Sequence, residues 1–151
     1  MAFWIFKLAK QEQYPDVPGK QYVYDNRHSI KVKAGDVFLY LDKRQKYSFT
    51  AKGVVDKISE RPPTEEELKE SSKIRIVFTA HLRDVVWFKE PLTLSYATKK
   101  GKKYRSQLGI KDLNEMGWSP SVASLEEIWY TKILDLIKSE SLYPETGMLP
   151  T

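Results

Sequence analysis

The chain has 151 residues, of which 41% are hydrophobic and 30% charged, and its formal net charge is +5 at pH 7. This length and composition are typical of one globular domain and exclude a disordered chain. Because the chain contains no cysteine, disulfide frameworks, zinc–thiolate sites and thiol catalysis are excluded. The basic excess favours a polyanionic partner, although a solvated surface rich in lysine and glutamate would give the same total.

The first half of the chain predicts β-strands. Residues 3–9 form a short apolar run that predicts a first strand, and residues 11–21, with two prolines and a glycine, predict a loop. In residues 34–42 a turn precedes a run with apolar side chains at successive positions, which predicts a central strand buried on both faces. Residues 48–59 predict its antiparallel partner in a hairpin.

The next segments predict a short helix and a long strand. Pro-Pro followed by Thr64, with Glu67 three residues later, is the pattern of a capping box and predicts a short exposed helix. Residues 73–88 alternate as a strand does, and residues 90–97 predict a turn and a short element. The basic segment 98–107 contains a glycine and predicts a loop.

The main helix is predicted near the carboxyl end, with Ser124 as its N-cap and Glu127 at the third helical position. Together the elements predict an α+β fold, a small mixed, mostly antiparallel β-barrel flanked by short helices. We expect one domain over residues 3–138, with residues 139–151 as a tail or the start of a linker to a further domain.

Membrane attachment and export are not predicted. No apolar run reaches the about eighteen residues that a membrane-spanning helix needs, and the amino terminus lacks the features of a signal peptide. We therefore expect a cytoplasmic protein with no membrane partner.

Motifs for catalysis are missing from the sequence. Neither His28 nor His81 stands at a metal-ligand spacing, and there is no nucleophile elbow, Walker A motif or dinucleotide-binding glycine pattern. We therefore expect no catalytic residues, no metal and no cofactor in this domain. Any nuclease or GTPase activity would belong to another domain or subunit.

Basic segments predict contacts with a nucleic-acid backbone. Residues 99–105, KKGKKYR, place five cations and a tyrosine in seven positions, and a second basic segment follows the central strand. Lysine and arginine neutralise phosphates with release of counterions. The predicted phosphate-binding residues are Arg27, Lys43, Arg44, Lys46, Lys99, Lys100, Lys102, Lys103 and Arg105. A solubilising surface loop is the alternative interpretation.

Several aromatic residues stand where loops begin rather than at strand centres. Tyr22 and Tyr24, in the segment YVYDNRH, are followed directly by Asp25 and Asn26, whose polar groups can read the edge of a base. A pocket lined by aromatic rings suits a planar ligand such as a flipped-out nucleobase. A plain turn at Asp25 and Asn26 is the alternative.

The order of these segments resembles the EVE domain, a relative of the YTH and ASCH domains in the PUA-like superfamily. Trp4 and Lys7 match the W-x-x-K-like first strand of that family. The residues YDNR at 24–27 resemble its Trp-Asp-Gly-x-x-Asn/Arg segment, and Gly35–Asp36 resembles its turn into an aromatic strand. The resemblance spans residues 3–135, but the family's Arg-x-Ser-x-x-Pro is reduced here to SPSVAS.

The resemblance implies a PUA/EVE-like barrel that acts as a DNA-binding specificity module. Such a module would flip a modified base, N6-methyladenine ahead of modified cytosine, into an aromatic cage. It would serve a modification-dependent restriction system of the McrB or EVE–HNH type, with further domains and a nuclease subunit as partners. The predicted base-binding residues are Trp4, Lys7, Leu8, Ala9, Tyr22, Tyr24, Asp25, Asn26, Tyr47 and Trp118. A reader of modified or structured RNA and an ASCH-like nucleoside-acting enzyme stay open as alternatives.

Overall fold

Six strands form one mixed sheet that curls into a half-barrel, and three short helices accompany it. The computed structural model describes residues 1–9, 14, 16–28, 31–118 and 120–143. The strands are β1 (Phe3–Leu8), β2 (Gln21–Asp25), β3 (Val37–Asp42), β4 (Ser48–Arg61), β5 (Val77–Thr93) and β6 (Val122–Leu125). The helices are α1 (Glu65–Glu70), α2 (Lys99–Leu108) and α3 (Glu127–Ser139), and single 3₁₀ turns span Asn26–His28 and Lys43–Gln45.

The strand order in the sheet is β2-β5-β4-β3-β1-β6. β1 and β3 run parallel, with Phe3 beside Val37 and Leu8 beside Asp42, and the other neighbouring pairs are antiparallel. Because β1 and β3 are parallel, their carboxyl ends lie at the same edge of the sheet. The mixed, mostly antiparallel sheet with short helices confirms the predicted α+β fold class.

The central strand β3 separates two cores. Leu39 and Leu41 face the side that α2 and α3 cover, whereas Phe38 and Tyr40 point into the half-barrel. All four side chains are fully buried, which confirms the prediction of a strand with two buried faces. Strand alternation alone produces this division, because successive side chains point to opposite faces.

The interior of the half-barrel is filled by stacked aromatic rings. Phe6 stacks on Tyr22 with ring centroids 4.6 Å apart and on Phe38 at 4.9 Å. The hydroxyl of Tyr22 lies 2.7 Å from the carbonyl oxygen of Lys7 and 2.9 Å from that of Ser121. β2 and β6 are the two edge strands of the sheet. The Tyr22 hydroxyl therefore links edge strand β2 to Ser121, the residue that precedes edge strand β6.

The predicted basic loop is instead helix α2. Thr98 caps its amino terminus by accepting a hydrogen bond from the backbone N–H of Gly101 at 3.0 Å. A Cβ atom on Gly101 would lie 2.0 Å from the carbonyl oxygen of Ser95, so glycine is the residue that lets this helix pack here. The glycine that suggested a flexible loop therefore marks a close helix contact.

The start of the last helix was also predicted wrongly. Ser124 lies in β6, where it pairs with Trp4, and α3 begins at Glu127 after Glu126. The short strand forms because β1 offers an unpaired edge to residues 122–125, a contact that local capping preferences do not register. Strand β5 likewise runs on to Thr93 through the segment predicted as a turn.

The capping box before α1 is confirmed. Thr64 Oγ1 accepts a hydrogen bond from the N–H of Glu67 at 3.2 Å, and Glu67 Oε1 accepts one from the N–H of Thr64 at 2.8 Å. The signal is reliable because both partners are local in the chain.

At the carboxyl end, Leu142 is buried in the core and Tyr143 packs on Phe88, so folded structure continues past the predicted boundary at residue 138. Residues 144–151 of the predicted tail, and residues 11–13 and 15 of the predicted loop, lie outside the described residues. In the described part of the chain, no helix combines the length and the apolar character needed to cross a membrane.

Candidate nucleic-acid interface

Two of the basic segments meet at one groove with a volume of about 530 Å³. Its walls come from the 3₁₀ turn after β3 and the start of β4, from the end of β5, and from the amino terminus of α2. The lining residues are Arg44, Gln45, Lys46, Ser48, Pro91, Thr93, Thr98, Lys99 and Lys100. Four of the nine predicted phosphate-binding residues are therefore brought together.

Local hydrogen bonds fix the wall that follows β3. Asp42 caps the 3₁₀ turn and accepts hydrogen bonds from the N–H of Arg44 at 2.9 Å and from its Nε at 3.0 Å. The chain then reverses through Lys46 and Tyr47, which both have positive φ angles, 55° and 51°. The N–H of Leu94 donates to the carbonyl oxygen of Tyr47 at 3.0 Å, which ties this wall to the end of β5.

The positive charge of the groove is largely uncompensated. Among the described residues, no carboxylate forms an ion pair with Lys46, Lys99 or Lys100. Arg44 shares its charge with the buried Asp42 at 2.9 Å. The amino terminus of α2 adds the positive end of a helix dipole. The groove therefore suits a phosphate-rich ligand.

The other predicted phosphate-binding residues lie outside the groove: Arg27, Lys43, Lys102, Lys103 and Arg105. Arg27 forms an ion pair with Asp25 at 2.8 Å. Lys103 forms one with Glu140 at 3.3 Å, on the side of α2 that faces α3. These two cations already have carboxylate partners. The structure thus separates the four predicted phosphate-binding residues that line the groove from the five that do not.

The structure places the predicted aromatic residues in two separate clusters. Tyr22, Tyr24 and Trp118 are only 3%, 4% and 2% exposed. Tyr22 and Tyr24 belong to the interior of the half-barrel, whereas Trp118 lies on the helix-covered face, where it packs edge-on against Trp129. Because the sheet stands between the two clusters, these rings cannot surround one ligand.

Trp4 and Tyr47 are the predicted aromatic residues that retain partial exposure. Trp4 donates a hydrogen bond from Nε1 to Asp36 at 2.9 Å and packs against the interior cluster. Tyr47 stands between Lys46 and Ser48, which both line the groove, and the ammonium of Lys43 lies 5.7 Å from its ring centroid. Tyr47 is thus the predicted ring whose chain neighbours form the basic groove.

Asp25 and Asn26 form hydrogen bonds to other residues of the fold. The carboxylate of Asp25 accepts hydrogen bonds from the Tyr14 hydroxyl at 2.6 Å and from Arg27. Burial by itself would raise the pKa of Asp25, but these hydrogen bonds outweigh it and lower the pKa. Asn26 Oδ1 accepts from the N–H groups of Arg75 at 2.7 Å and Ile76 at 3.1 Å. The acceptors predicted to read a base edge are therefore engaged within the fold, as the turn alternative requires.

The predicted contacts after the first strand lie at the shared carboxyl edge of β1 and β3. Leu8 is fully buried, and the carbonyl oxygen of Lys7 accepts from Tyr22. Burial and the nearby charge of Lys43 lower the pKa of Lys7 to about 8. Because Lys43 begins the 3₁₀ turn that forms one wall of the groove, Lys7 lies on the same side of the molecule as that wall.

Sequence reasoning missed five residues that line the groove: Gln45, Ser48, Pro91, Thr93 and Thr98. Thr98 carried a local signal, since threonine is a preferred N-cap residue and Thr98 directly precedes α2. Thr93 and Pro91 carried none, because their position depends on the full length of β5. In the described residues, no group of three or more His, Asp or Glu side chains is placed to hold a metal ion.

Solved structures share the fold of this chain. The ASCH protein of Zymomonas mobilis is 13% identical with a TM-score of 0.57, covering 89% of this chain and 95% of that one. The N-terminal domain of McrB from Staphylothermus marinus is 9% identical with a TM-score of 0.56, covering 88% and 93%. A Rhodopseudomonas palustris protein solved by NMR is 17% identical with a TM-score of 0.51, covering 92% and 94%.

These likenesses concern the fold alone, a mixed, mostly antiparallel half-barrel with short helices. At such low identities they do not extend to activity. No protein-family model matches the sequence, and no curated protein matches it significantly.

Proposed function

We propose that this domain is a DNA-binding specificity module that holds the DNA backbone in the basic groove and reads a modified base. The observation that carries the proposal is the convergence of Arg44, Lys46, Lys99 and Lys100 on one groove from segments more than fifty residues apart in the chain. A solubilising surface spreads its lysines, whereas a backbone-binding site concentrates them without carboxylate partners.

The assignment to a restriction system follows from two further observations. The sequence resembles the EVE domain, and one solved structure with the same fold is the N-terminal domain of a McrB protein. We propose that this chain serves as the reading module of a modification-dependent restriction system. The nuclease and nucleotide-hydrolysing activities would then belong to other domains or subunits, and N6-methyladenine is the favoured base, ahead of modified cytosine.

For the base itself we propose contact with Tyr47, beside the groove, and with Lys7, on the same side of the molecule. Tyr47 is partly exposed and its neighbours in the chain line the groove. Tyr24 would have to leave its stacking contact with Phe78, where the ring centroids are 5.2 Å apart, before it could stack on a base. Tyr47→Leu should therefore reduce the preference for modified DNA more than Tyr24→Leu does, once binding is corrected for the folded fraction.

The proposal is tested by fluorescence anisotropy with four labelled probes of one sequence. The probes are duplex DNA with a single N6-methyladenine, the same duplex with 5-methylcytosine, the unmodified duplex, and the corresponding RNA. We expect the N6-methyladenine duplex to bind most tightly and Tyr47→Leu to equalise the modified and unmodified duplexes. Equal affinities in the wild type would refute base reading, and tighter binding of RNA would favour the RNA alternative.

The ASCH-like alternative has two observations in its favour, the first being that one solved structure with the same fold is the ASCH protein of Zymomonas mobilis. The lowered pKa of Lys7, about 8, leaves a larger fraction of neutral amine near neutral pH than an ordinary lysine has. A neutral amine is what a nucleophile or general base requires. Incubation with nucleosides and oligonucleotides, followed by chromatography, would reveal such an activity. If Lys7→Met abolished it, the domain would be an enzyme rather than a pure binding module.

A further inference from the structure

An aromatic ring that the sequence analysis did not select stands exposed just before α2. Tyr96 is 56% exposed and is the one tyrosine among the exposed large hydrophobic residues that the structure describes. The guanidinium carbon of Arg105 lies 4.1 Å from the centroid of its ring, within the range of a cation–π contact. We call these two side chains the Tyr96–Arg105 pair.

Both members of the pair are fixed by the backbone. The Tyr96 hydroxyl donates to the carbonyl oxygen of Lys111 at 3.4 Å and accepts from the N–H of Leu113 at 3.1 Å. Arg105 Nε donates to the carbonyl oxygen of Leu94 at 3.1 Å. A ligand that stacks on the pair would therefore meet side chains that are already ordered, which lowers the entropy cost of binding.

A purely structural role leaves two features of the pair unexplained. Anchoring residues 111–113 needs the hydroxyl of Tyr96 but gives no reason for the exposure of the residue. Among the described residues, moreover, no carboxylate forms an ion pair with Arg105. An exposed ring beside an unneutralised guanidinium is the combination on which nucleobases stack in single-strand-binding proteins.

The pair also lies next to the basic groove. Tyr96 precedes the groove residue Thr98 by two positions, so their Cα atoms are at most about 7 Å apart. We propose that the Tyr96–Arg105 pair stacks on one unpaired nucleobase of a strand whose phosphates lie in the groove. This inference rests on the proposed function, since it uses the same groove, and it adds a class of ligand, nucleic acid with at least one unstacked base. Stacking tolerates any base, so this contact supplies affinity without sequence preference.

The test compares two fluorescein-labelled oligomers of twelve nucleotide units (a probe length chosen as about that of a short binding site). One is oligothymidylate, and the other has the same phosphates but abasic sugars. We expect wild-type protein to bind oligothymidylate about 5- to 150-fold more tightly, the range for one stacked base. Tyr96→Leu should reduce the affinity for oligothymidylate to that for the abasic oligomer and leave the abasic affinity unchanged.

Two further variants separate stacking from folding. Tyr96→Phe keeps the ring and loses the hydroxyl, so it should lower the melting temperature while retaining the preference for oligothymidylate. Ile128→Ser removes an apolar side chain of matched exposure, 57%, from α3 and should change neither affinity. A Tyr96→Leu protein that keeps the wild-type preference, or that loses both oligomers equally, overturns the inference.

The same measurements distinguish this inference from the proposed function. If wild-type protein binds both oligomers equally, and Lys99→Ala with Lys100→Ala weakens both, the groove stands and the stacking site falls. If wild-type protein binds neither oligomer nor duplex DNA, the groove and the stacking site fall together.

Discussion

Replacing the two lysines at the amino terminus of α2 gives the sharpest test of the groove. Lys99 and Lys100 line it without carboxylate partners, together with Lys46 and Arg44. Each neutralised phosphate of B-DNA contributes about −0.9 to the slope of log affinity against log salt. Four contacts therefore predict a slope of about −3.6, and the double variant Lys99→Ala, Lys100→Ala should flatten it by about 1.8 units.

The expected change in affinity follows from the same slopes. Between 50 and 200 mM salt, wild-type affinity should fall about 150-fold and that of the double variant only about 12-fold. If Arg44 keeps its charge on Asp42, the wild-type slope becomes about −2.7, but the difference made by the two lysines stays about 1.8 units. The assay is anisotropy of a labelled 20-base-pair duplex (a length of about two helical turns) over that salt range.

The matched control removes the same charge from the same helix. Lys102 and Lys103 do not line the groove, and Lys103 is paired with Glu140. Lys102→Ala with Lys103→Ala should keep a slope close to that of wild type. The groove variant should keep its fold, because removing lysines from the positive end of a helix dipole favours the helix.

Two results would refute this reasoning. Equal flattening of the slope by both pairs would mean that binding follows the net charge of α2 rather than the groove. An unchanged slope and affinity in the groove variant would make these lysines a solubilising surface, and the DNA would have to bind elsewhere.

Three further predictions concern stability. Tyr22→Phe removes the hydroxyl that bridges two backbone carbonyls between the sheet edges, so the free energy of unfolding in urea should fall by about 1–2 kcal/mol; an unchanged midpoint would mean that this hydroxyl does not hold the half-barrel. Hydrogen bonds from Arg61 lower the pKa of Glu67 to about 2 from its usual 4.5, so this pair stabilises the fold above about pH 4.5 and its contribution is lost as the pH falls toward 2. Glu67→Gln should therefore lower stability at pH 7 and flatten its decline in acid, and parallel pH profiles of the two proteins would contradict this. Gly101→Ala should destabilise by about 1–3 kcal/mol in thermal unfolding despite the better helix propensity of alanine, because the new Cβ meets the Ser95 carbonyl oxygen at 2.0 Å; a raised melting temperature would show that α2 shifts freely.

The sequence by itself determined the features that depend on near neighbours in the chain. The two-faced burial of β3 follows from strand alternation, and the cap of α1 follows from Thr64 and Glu67, three residues apart. The order of apolar runs was sufficient to predict a mixed, mostly antiparallel barrel with short helices. The two basic segments likewise supplied four of the nine residues that line the groove.

The tertiary structure decided which of the selected side chains share a site. Tyr22 and Trp118 both looked like pocket residues, yet the sheet separates them, because strand curvature and helix packing set the side on which each ring is buried. Helix α2 also escaped prediction, since Gly101 is favourable there only through its contact with Ser95. Lys46 and Lys99 line the same groove because the backbone hydrogen bond from Leu94 to Tyr47 joins the start of β4 to the end of β5. That pairing joins residues far apart in sequence, and no local pattern specifies it.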